Sequence, residues 1–375
     1  MIELREYATH DLDAVVAFNQ RLSTGSIKYQ FPVDSHYGSA NDTALNNCDN
    51  IYKKRYLAVD GIAVRGGYNL KCQTYLLNGI VRPCSFYQLP LSEGLIDKKY
   101  NMLGLSLLLD ALKRQPFLFG LGIGGKQEAL ARIVAVLGWK VITVPFYFTI
   151  IRPSRVFKYM SYLRRSFKMR FICDVLRYSG LGVLGILLVK LYAKMRGYNS
   201  IIKDTTYEVV NVFDEWADLI WEKSVGNYSF IAKRSKHVLN QLYPPDNKRI
   251  IRLRISNKNA TVGWGALLLT KMQKDKYFGD CVVGSLVDYF SIPGREALVV
   301  SVCTQYLRMA KADLVVSNQS AEKWGMGFLE SGYFKGPSNF LFAPAPAITN
   351  EINKTDPHFK NVFLTRGDGD GPLGL

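Results

Sequence analysis

The stretch FGLGIGG, Phe119–Gly125, decides how the chain is read. Its glycines, Gly120, Gly122, Gly124 and Gly125, have the look of a phosphate-cradling loop set between a short apolar strand and the helical run KQEALARIVAVLGW. A dinucleotide fingerprint needs G-x-G-x-x-G directly after a first strand, with an acidic residue about 20 positions further on. Here the strand is a late one, the glycine spacing differs, and Val141–Val144 stands where the acid belongs. A nicotinamide or flavin site is therefore not expected, and the question becomes which fold places a glycine-rich strand end so late.

Working outward from this stretch shows a plan that occurs twice. An extended IELREYA precedes a helix start at Asp11 or Asp13 and the run LDAVVAFNQRL; from Tyr207, TYEVVNVF precedes DEWADLIWEKS, which starts near Asp214. Strand-like runs follow in each half, YLAVDGIAVRGGYNLKCQTYLLNGIV and CSFYQLPL in the first, RIIRLRIS, TVGWGALLLTKMQ and CVVGSLVDYFS in the second. Met102, Leu105, Leu109 and Leu112 then mark one helix face, as do Val300, Cys303, Leu307 and Ala310. Short apolar strands, FLFGLGIG and ADLVVSN, lead to helices that stop at Gly138-Trp139 and Gly332-Tyr333, and VITVPFYFTII and SNFLFAP end the halves. Leu130, Ile133, Val134 and Leu137 form the apolar stripe of the first of these helices, with Gly138 as its C′ stop.

Each half thus reads β-α, several antiparallel strands, then β-α-β-α-β. That order resembles the GNAT acyltransferase fold, and its duplication resembles bacterial tandem GNAT proteins related to the Fem aminoacyltransferases. The expected class is α/β with mixed sheets. Two GNAT-like domains, 1–151 and 205–347, are joined by a basic helical linker, 152–204, and followed by a tail, 348–375.

The resemblance implies a coenzyme A pyrophosphate held at the turn after the fourth strand, where small residues let backbone N–H groups approach and a cation assists. In the first half this turn is Lys98-Lys99-Tyr100-Asn101-Met102-Leu103-Gly104, with Lys99 in the arginine place, Gly104 as the last glycine and Met102 where the first glycine belongs. In the second it is FSIPGREAL, where Arg295 offers the cation. Gly122, Gly124 and Gly125 would floor the gap between the fourth and fifth strands and leave room for an acyl-pantetheine arm. The tyrosine acid common in the family is missing, since Val134 and Phe328 stand at its places. Tyr333 and Tyr289 are the substitutes, and Asp288 and Glu93 the candidate general bases. Gln88 lies on the first half's fourth strand; Ser317, Asn318 and Gln319 sit at a strand end as acceptor-orienting groups or as helix caps.

Composition sets the context. With 375 residues, 48% hydrophobic and 13% aromatic, the chain suits two cores and folds almost throughout. The N-terminus MIELREYATHDLD is charged from its third residue and has no apolar leader, so a cytoplasmic protein is expected. The cysteines (Cys48, Cys72, Cys84, Cys173, Cys281, Cys303) form no C-x-x-C pair and read as buried thiols; the histidines (His10, His36, His237, His358) show no metal-ligand spacing.

The net charge of +17 is concentrated in residues 152–200, which hold 11 Lys/Arg and one acid, Asp174. Between Arg177 and Lys190 lie 12 uncharged residues, too few to span a bilayer, which takes about 20. This segment packs between the domains, docks the protein on the anionic inner membrane surface, or holds a charged tRNA. The expected function is transfer of an acyl group from acyl-coenzyme A to an amine of a sugar or surface-polysaccharide precursor. The alternatives are Fem-like aminoacyl transfer from aminoacyl-tRNA and a catalytically inactive membrane-associated scaffold. The tail LTRGDGDGPLGL resembles the end of tandem proteins from surface-polysaccharide clusters; Asp368 and Asp370 would bind a cation or fold over the acceptor site, unless the tail is disordered.

Overall fold

The computed structural model describes residues 2–33, 50–185, 188 and 204–369. Cys48, His36 and Asp370, with much of the expected linker, lie outside the described residues. The chain forms two units, Met1–Thr143 with Asn339–Pro357, and Val144–Ser338 with His358–Leu375. Both are mixed α/β.

The first unit starts with β1 (Ile2–Glu6) and α1 (Leu12–Thr24), where Asp11 occupies the N-cap position and accepts from the Ala8 N–H and the Arg5 guanidinium. Strands β2 (Tyr52–Asp60), β3 (Ala63–Leu77) and β4 (Ile80–Ser92) follow, then α2 (Leu103–Arg114), β5 (Leu118–Leu121), α3 (Ala129–Val136) and β6 (Ile142–Thr143). Helix α3 ends as its sequence demands: Gly138 takes φ +79°, and the Trp139 N–H reaches back to the Val134 carbonyl. The buried face of α2 is Leu103, Leu107, Leu108 and Ala111, whereas Met102 and Leu109 are exposed. The helix is therefore turned by about one residue from the stripe expected at 102, 105, 109 and 112, because Leu103 and Leu107 reach the sheet first.

The second unit repeats the order with β8 (Thr205–Val209), α6 (Glu215–Ser224), β9 (Phe230–Ala232), α7 (Lys236–Leu242), β10 (Ile251–Asn257), β11 (Ala260–Lys271), β12 (Val282–Ser291), α8 (Glu296–Met309), β13 (Leu314–Asn318), α9 (Glu322–Glu330) and β14 (Phe334–Gly336). Asp214 caps α6 through the Glu215 N–H. Helix α8 is buried nearly all round rather than on one stripe, from Leu298 to Thr304 and again at Leu307.

The strands expected to end each half are exchanged. β7 (Phe146–Ile150), from the N-terminal half, joins the second sheet, which runs β14-β7-β13-β12-β11-β10-β8. β15 (Leu341–Pro344), from the C-terminal half, lies between β5 and β6 in the first sheet, after β1-β2-β3-β4. α10 (Pro346–Asn353) goes with it. The start of the basic segment belongs to the second unit: in α4 (Pro153–Tyr159), Val156 packs on Cys281, Val283, Leu314 and Val316. Arg155 binds the buried Asp313 carboxylate at 2.9 Å, and Arg152 binds it at 2.8 Å. Helix α5 (Phe167–Tyr178) packs on α4.

The described part of the tail runs to Gly369. Its strand β16 (Val362–Phe363) pairs in parallel with β9, and Thr365 and Asp368 close a reciprocal cap at the next turn.

Candidate functional site

In both units the fourth strand leaves the fifth at a bulge. β4 pairs with β5 at Ser85–Leu118 and Phe86–Phe119. Just beyond, the β3–β4 register slips from Asn69–Gln88 to Gly67–Leu91, and Leu89 is driven to φ +46°. β12 pairs with β13 as far as Ser285–Val316, and the β11–β12 register then slips between Leu286 and Asp288. A bulge kinks one strand and breaks its ladder, so each pair opens past this point. A thioester and an amine can meet in such a gap.

The gap of the second unit is filled by the chain's own tail. Asp288, just past the bulge, is 0% exposed. Its carboxylate accepts from Arg234 at 3.2 Å, Tyr243 Oη at 3.0 Å, Thr365 Oγ1 at 3.0 Å and its neighbour's N–H. Arg234, also buried, binds Asp368 at 2.9 Å. A side chain at Gly367 would collide with the Tyr243 hydroxyl and the Asp288 carboxyl, so glycine is what lets the tail lie here. On the opposite strand Arg366 donates to Asn318 Oδ1 at 2.9 Å, and burial pulls its guanidinium down to about 10. Thr365–Asp368 thus bridges β12 and β13.

Burial pushes the Asp288 carboxyl up, against the pull of Arg234 beside it. Four protein donors take up the Asp288 carboxylate. Asp288 holds the tail in place, and this geometry lends no support to the base role expected for it. Asp368, expected either to bind a cation or to fold over the acceptor site, pairs with the Arg234 guanidinium.

The other expected residues of this unit are engaged as well. Tyr289 Oη spans the gap to Ser317 Oγ at 3.1 Å, and burial raises its phenol well above the usual range. Tyr333 Oη is hydrogen-bonded to Thr304 Oγ1 at 2.6 Å, on α8. Ser317 also donates to the Leu286 carbonyl, and Gln319 accepts from the Ala321 N–H as a cap. Arg295 is exposed at the start of α8, but Glu296 follows it in the first turn, and α9 packs so closely there that Gly327 abuts the backbone of Glu296 and Ala297. A carboxylate at a helix N-terminus opposes a bound phosphate.

The first unit is arranged differently. Its turn, Lys98 to Gly104, is mostly exposed, and no side chain caps the α2 N-terminus. A Cβ at Gly104 would meet nothing within 4 Å. No acid lies in the first turn of α2, and Lys98 and Lys99 precede it, so free N–H groups and cations gather at one helix end. Helix α2 is fixed to the sheet by its leucines and by Asp110, which accepts from Tyr68 Oη at 2.5 Å and Arg114 Nε at 2.7 Å.

Glu93 is buried at the end of β4 and clamped by Arg21 at 2.5 Å and Arg65 at 2.8 Å. Both oxygens are thus held by guanidinium groups, which ties α1 and β3 to the strand end and leaves no oxygen free of a cation for base duty. The glycines of FGLGIGG, expected to floor an acyl-arm channel, lie mostly against neighbouring side chains. Gly122 and Gly124 take φ +67° and +83°; a Cβ on Gly120 would strike Ile123, one on Gly122 the Phe340 ring and one on Gly124 the Glu128 side chain. Only above Gly125 is the space open.

Two buried groups missed in the sequence mark this unit. Tyr87 Oη and Trp139 Nε1 lie in the core cluster formed by β3, β4, α2 and α3, and among the described residues neither has a hydrogen-bond partner. An unpaired buried polar group costs about 1–3 kcal/mol; other buried groups, Gln73 Nε2 in this unit and Trp264 Nε1 in the second among them, share this state among the described residues, so it is position that singles out Tyr87. Tyr87 is the first residue past the last β4–β5 pair. The signal that marks its surroundings is Pro90 inside a strand, which is a bulge residue.

The two bulged fourth strands, each followed by a helix and a parallel fifth strand, and the strand inserted beside the fifth in each sheet, β15 between β5 and β6 and β7 between β13 and β14, decide the architecture. The fold is that of the GCN5-related N-acetyltransferases. Among solved structures the chain is similar to a probable N-acyltransferase from Enterococcus faecalis V583, with a TM-score of 0.52 and 7% identity over 94% of this chain and 74% of that one. It is also similar to a GCN5-related N-acetyltransferase from Kribbella flavida, with a TM-score of 0.50 and 10% identity over 92% of this chain and 71% of the other. At such identities the likeness is one of fold. No protein-family model matches the chain, and no curated protein sequence matches it.

Proposed function

We propose that the protein is an N-acyltransferase that uses acyl-coenzyme A and that its chemistry belongs to the first unit alone. The observation that carries this reading is the exposed, cationic turn Lys98–Gly104, which follows the bulged β4 after the short turn Glu93–Leu95: Asp97 caps its start through the Lys99 N–H, and no side chain caps the α2 N-terminus at its end. The second unit's gap is occupied by Thr365–Asp368, and Glu296 guards its helix start. In the first unit the α2 N–H groups and the two lysines bind the pyrophosphate. The amine nitrogen attacks the thioester carbonyl carbon, the C–S bond breaks, and the amine's proton leaves to solvent.

Tyr87 is the donor we assign to the departing thiolate. Burial raises its phenol, so it stays protonated and acts by hydrogen bonding rather than by giving its proton away. Trp139 Nε1 is a second donor in the same core, suited to a carbonyl of the pantetheine arm. The acceptor we propose is an amine of a sugar or surface-polysaccharide precursor. Support for this finer point is the resemblance of the tail and of the tandem plan to Fem-related proteins of polysaccharide clusters.

Calorimetric titration with acetyl- and longer acyl-coenzyme A tests the reading. Binding is expected, and Lys98→Ala with Lys99→Ala should weaken it about tenfold, with a smaller loss at high salt, where exposed charges are screened. No binding to the parent protein would leave the scaffold function standing. Tyr87→Phe separates chemistry from folding: kcat should fall about 10²-fold, as for loss of one donor to a developing anion. The same variant should unfold at a higher temperature, because it removes an unpaired buried hydroxyl worth about 1 kcal/mol. A role confined to packing would give the second change without the first.

A further inference from the structure

We propose that the outward face of α5 is a docking surface for an anionic lipid bilayer. Phe167, Phe171, Val175 and Tyr178 recur at i, i+4, i+8 and i+11, so they share one side of the helix. That side points to solvent: Phe167 is 84%, Phe171 65% and Tyr178 76% exposed. The inward side is already supplied by Cys173, which is buried, with Met169 and Leu176 half-buried beside it. The helix therefore has an apolar stripe to spare, and contiguous exposed apolar surface marks an interaction site.

The charges around the stripe select the occupant. Lys168 and Arg170 are exposed next to it, Arg165 precedes it and Arg177 adjoins Tyr178. Asp174, the one acid of α5, is paired with Arg164 at 2.6 Å. A second copy of the same face would bring cation against cation, which disfavours self-association. A bilayer with anionic headgroups satisfies both features at once: aromatic rings enter the headgroup boundary while the flanking cations meet lipid phosphates. Among the described residues no helix is long and apolar enough to cross a membrane, so the mode is one of lying on the surface. The Gly180–Gly185 segment continues the apolar character, with Leu181, Val183 and Leu184 exposed.

This inference stands apart from the acyltransferase reading, since α5 belongs to the second unit and the turn at Lys98–Gly104 to the first. The test is co-sedimentation of the full chain with phosphatidylcholine vesicles that contain or lack phosphatidylglycerol. Binding is expected only to the anionic vesicles and should fade with salt. Phe167→Ser with Phe171→Ser should weaken it about tenfold or more, with the unfolding temperature unchanged because both rings are already in water. Lys168→Glu with Arg170→Glu should abolish the preference for phosphatidylglycerol. Failure of the parent protein to sediment with anionic vesicles would overturn the proposal, as would undiminished binding by the Phe167→Ser, Phe171→Ser variant. It is equally overturned if bulk tRNA binds through these residues while vesicles do not. Acyl-coenzyme A titration of the same variants separates the two readings, because docking variants should bind it like the parent.

Discussion

Expressed separately, residues 1–151 and 152–375 are each expected to fail to fold, and to give soluble, cooperatively unfolding protein only when produced together. The boundary looks natural in the sequence, yet it cuts across both sheets. A 1–151 fragment lacks β15 and α10, so the strand between β5 and β6 is gone. It loses Leu341, Phe342, Ile348 and Ile352, all fully buried, and at about 1.5–3 kcal/mol for each such side chain the loss is roughly 6–12 kcal/mol. Whole domains are stable by about 5–15 kcal/mol. The 152–375 fragment lacks β7, which pairs with β13 over five positions and with β14 over three, and its removal exposes an apolar edge of the kind that aggregates. Circular dichroism and thermal melts of the separate and co-produced fragments check the expectation. A cooperative melt for 1–151 alone would refute the exchanged pairing.

The exchange could not be read from local sequence for a physical reason. FYFTI and LFAP are short apolar segments that satisfy any strand edge offering the same pattern, and periodicity reports which face is buried, never which neighbour a strand chooses. Features governed by neighbours in sequence were legible: Asp11 and Asp214 at helix starts, Gly138 and Gly332 at positive φ, and the repeated order of elements. The site was legible in part. Asp288 drew attention because a carboxylate in an apolar strand must be paired or functional. Its partners, Arg234 and Thr365, are 54 and 77 residues away, beyond any motif. Tyr87 drew none, since a tyrosine in CSFYQLPL reads as core; its place just past the last β4–β5 pair, with a hydroxyl left without a partner, sets it apart.

Replacing Arg234 by Ala is expected to destabilise the second unit by about 3–5 kcal/mol, because it leaves Asp288 and Asp368 buried without their shared cation. Asp288→Asn should cost less, about 1–2 kcal/mol: the amide keeps the shape and one acceptor but sets a donor against Arg234 or Tyr243. The contrast follows from charge, since the cluster holds two carboxylates and one guanidinium. Acidity should discriminate further. Burial already raises the Asp288 carboxyl, and removing Arg234 takes away the pull that opposes this. A carboxyl raised in the folded state contributes stability below its unfolded value of about 3.9, and that contribution is lost as pH rises through the folded value. The gap in unfolding temperature between parent and Arg234→Ala should therefore narrow on acidification, whereas a defect caused only by lost packing would not respond. Activity provides the last discrimination. Were Asp288 the general base, Asp288→Asn would lower acyl transfer by about 10²–10⁴-fold. With Asp288 sealed beneath the tail and the chemistry assigned to the first unit, kcat should stay at the parent value at temperatures where the variant is folded, and a loss of that size would return the active centre to the second unit.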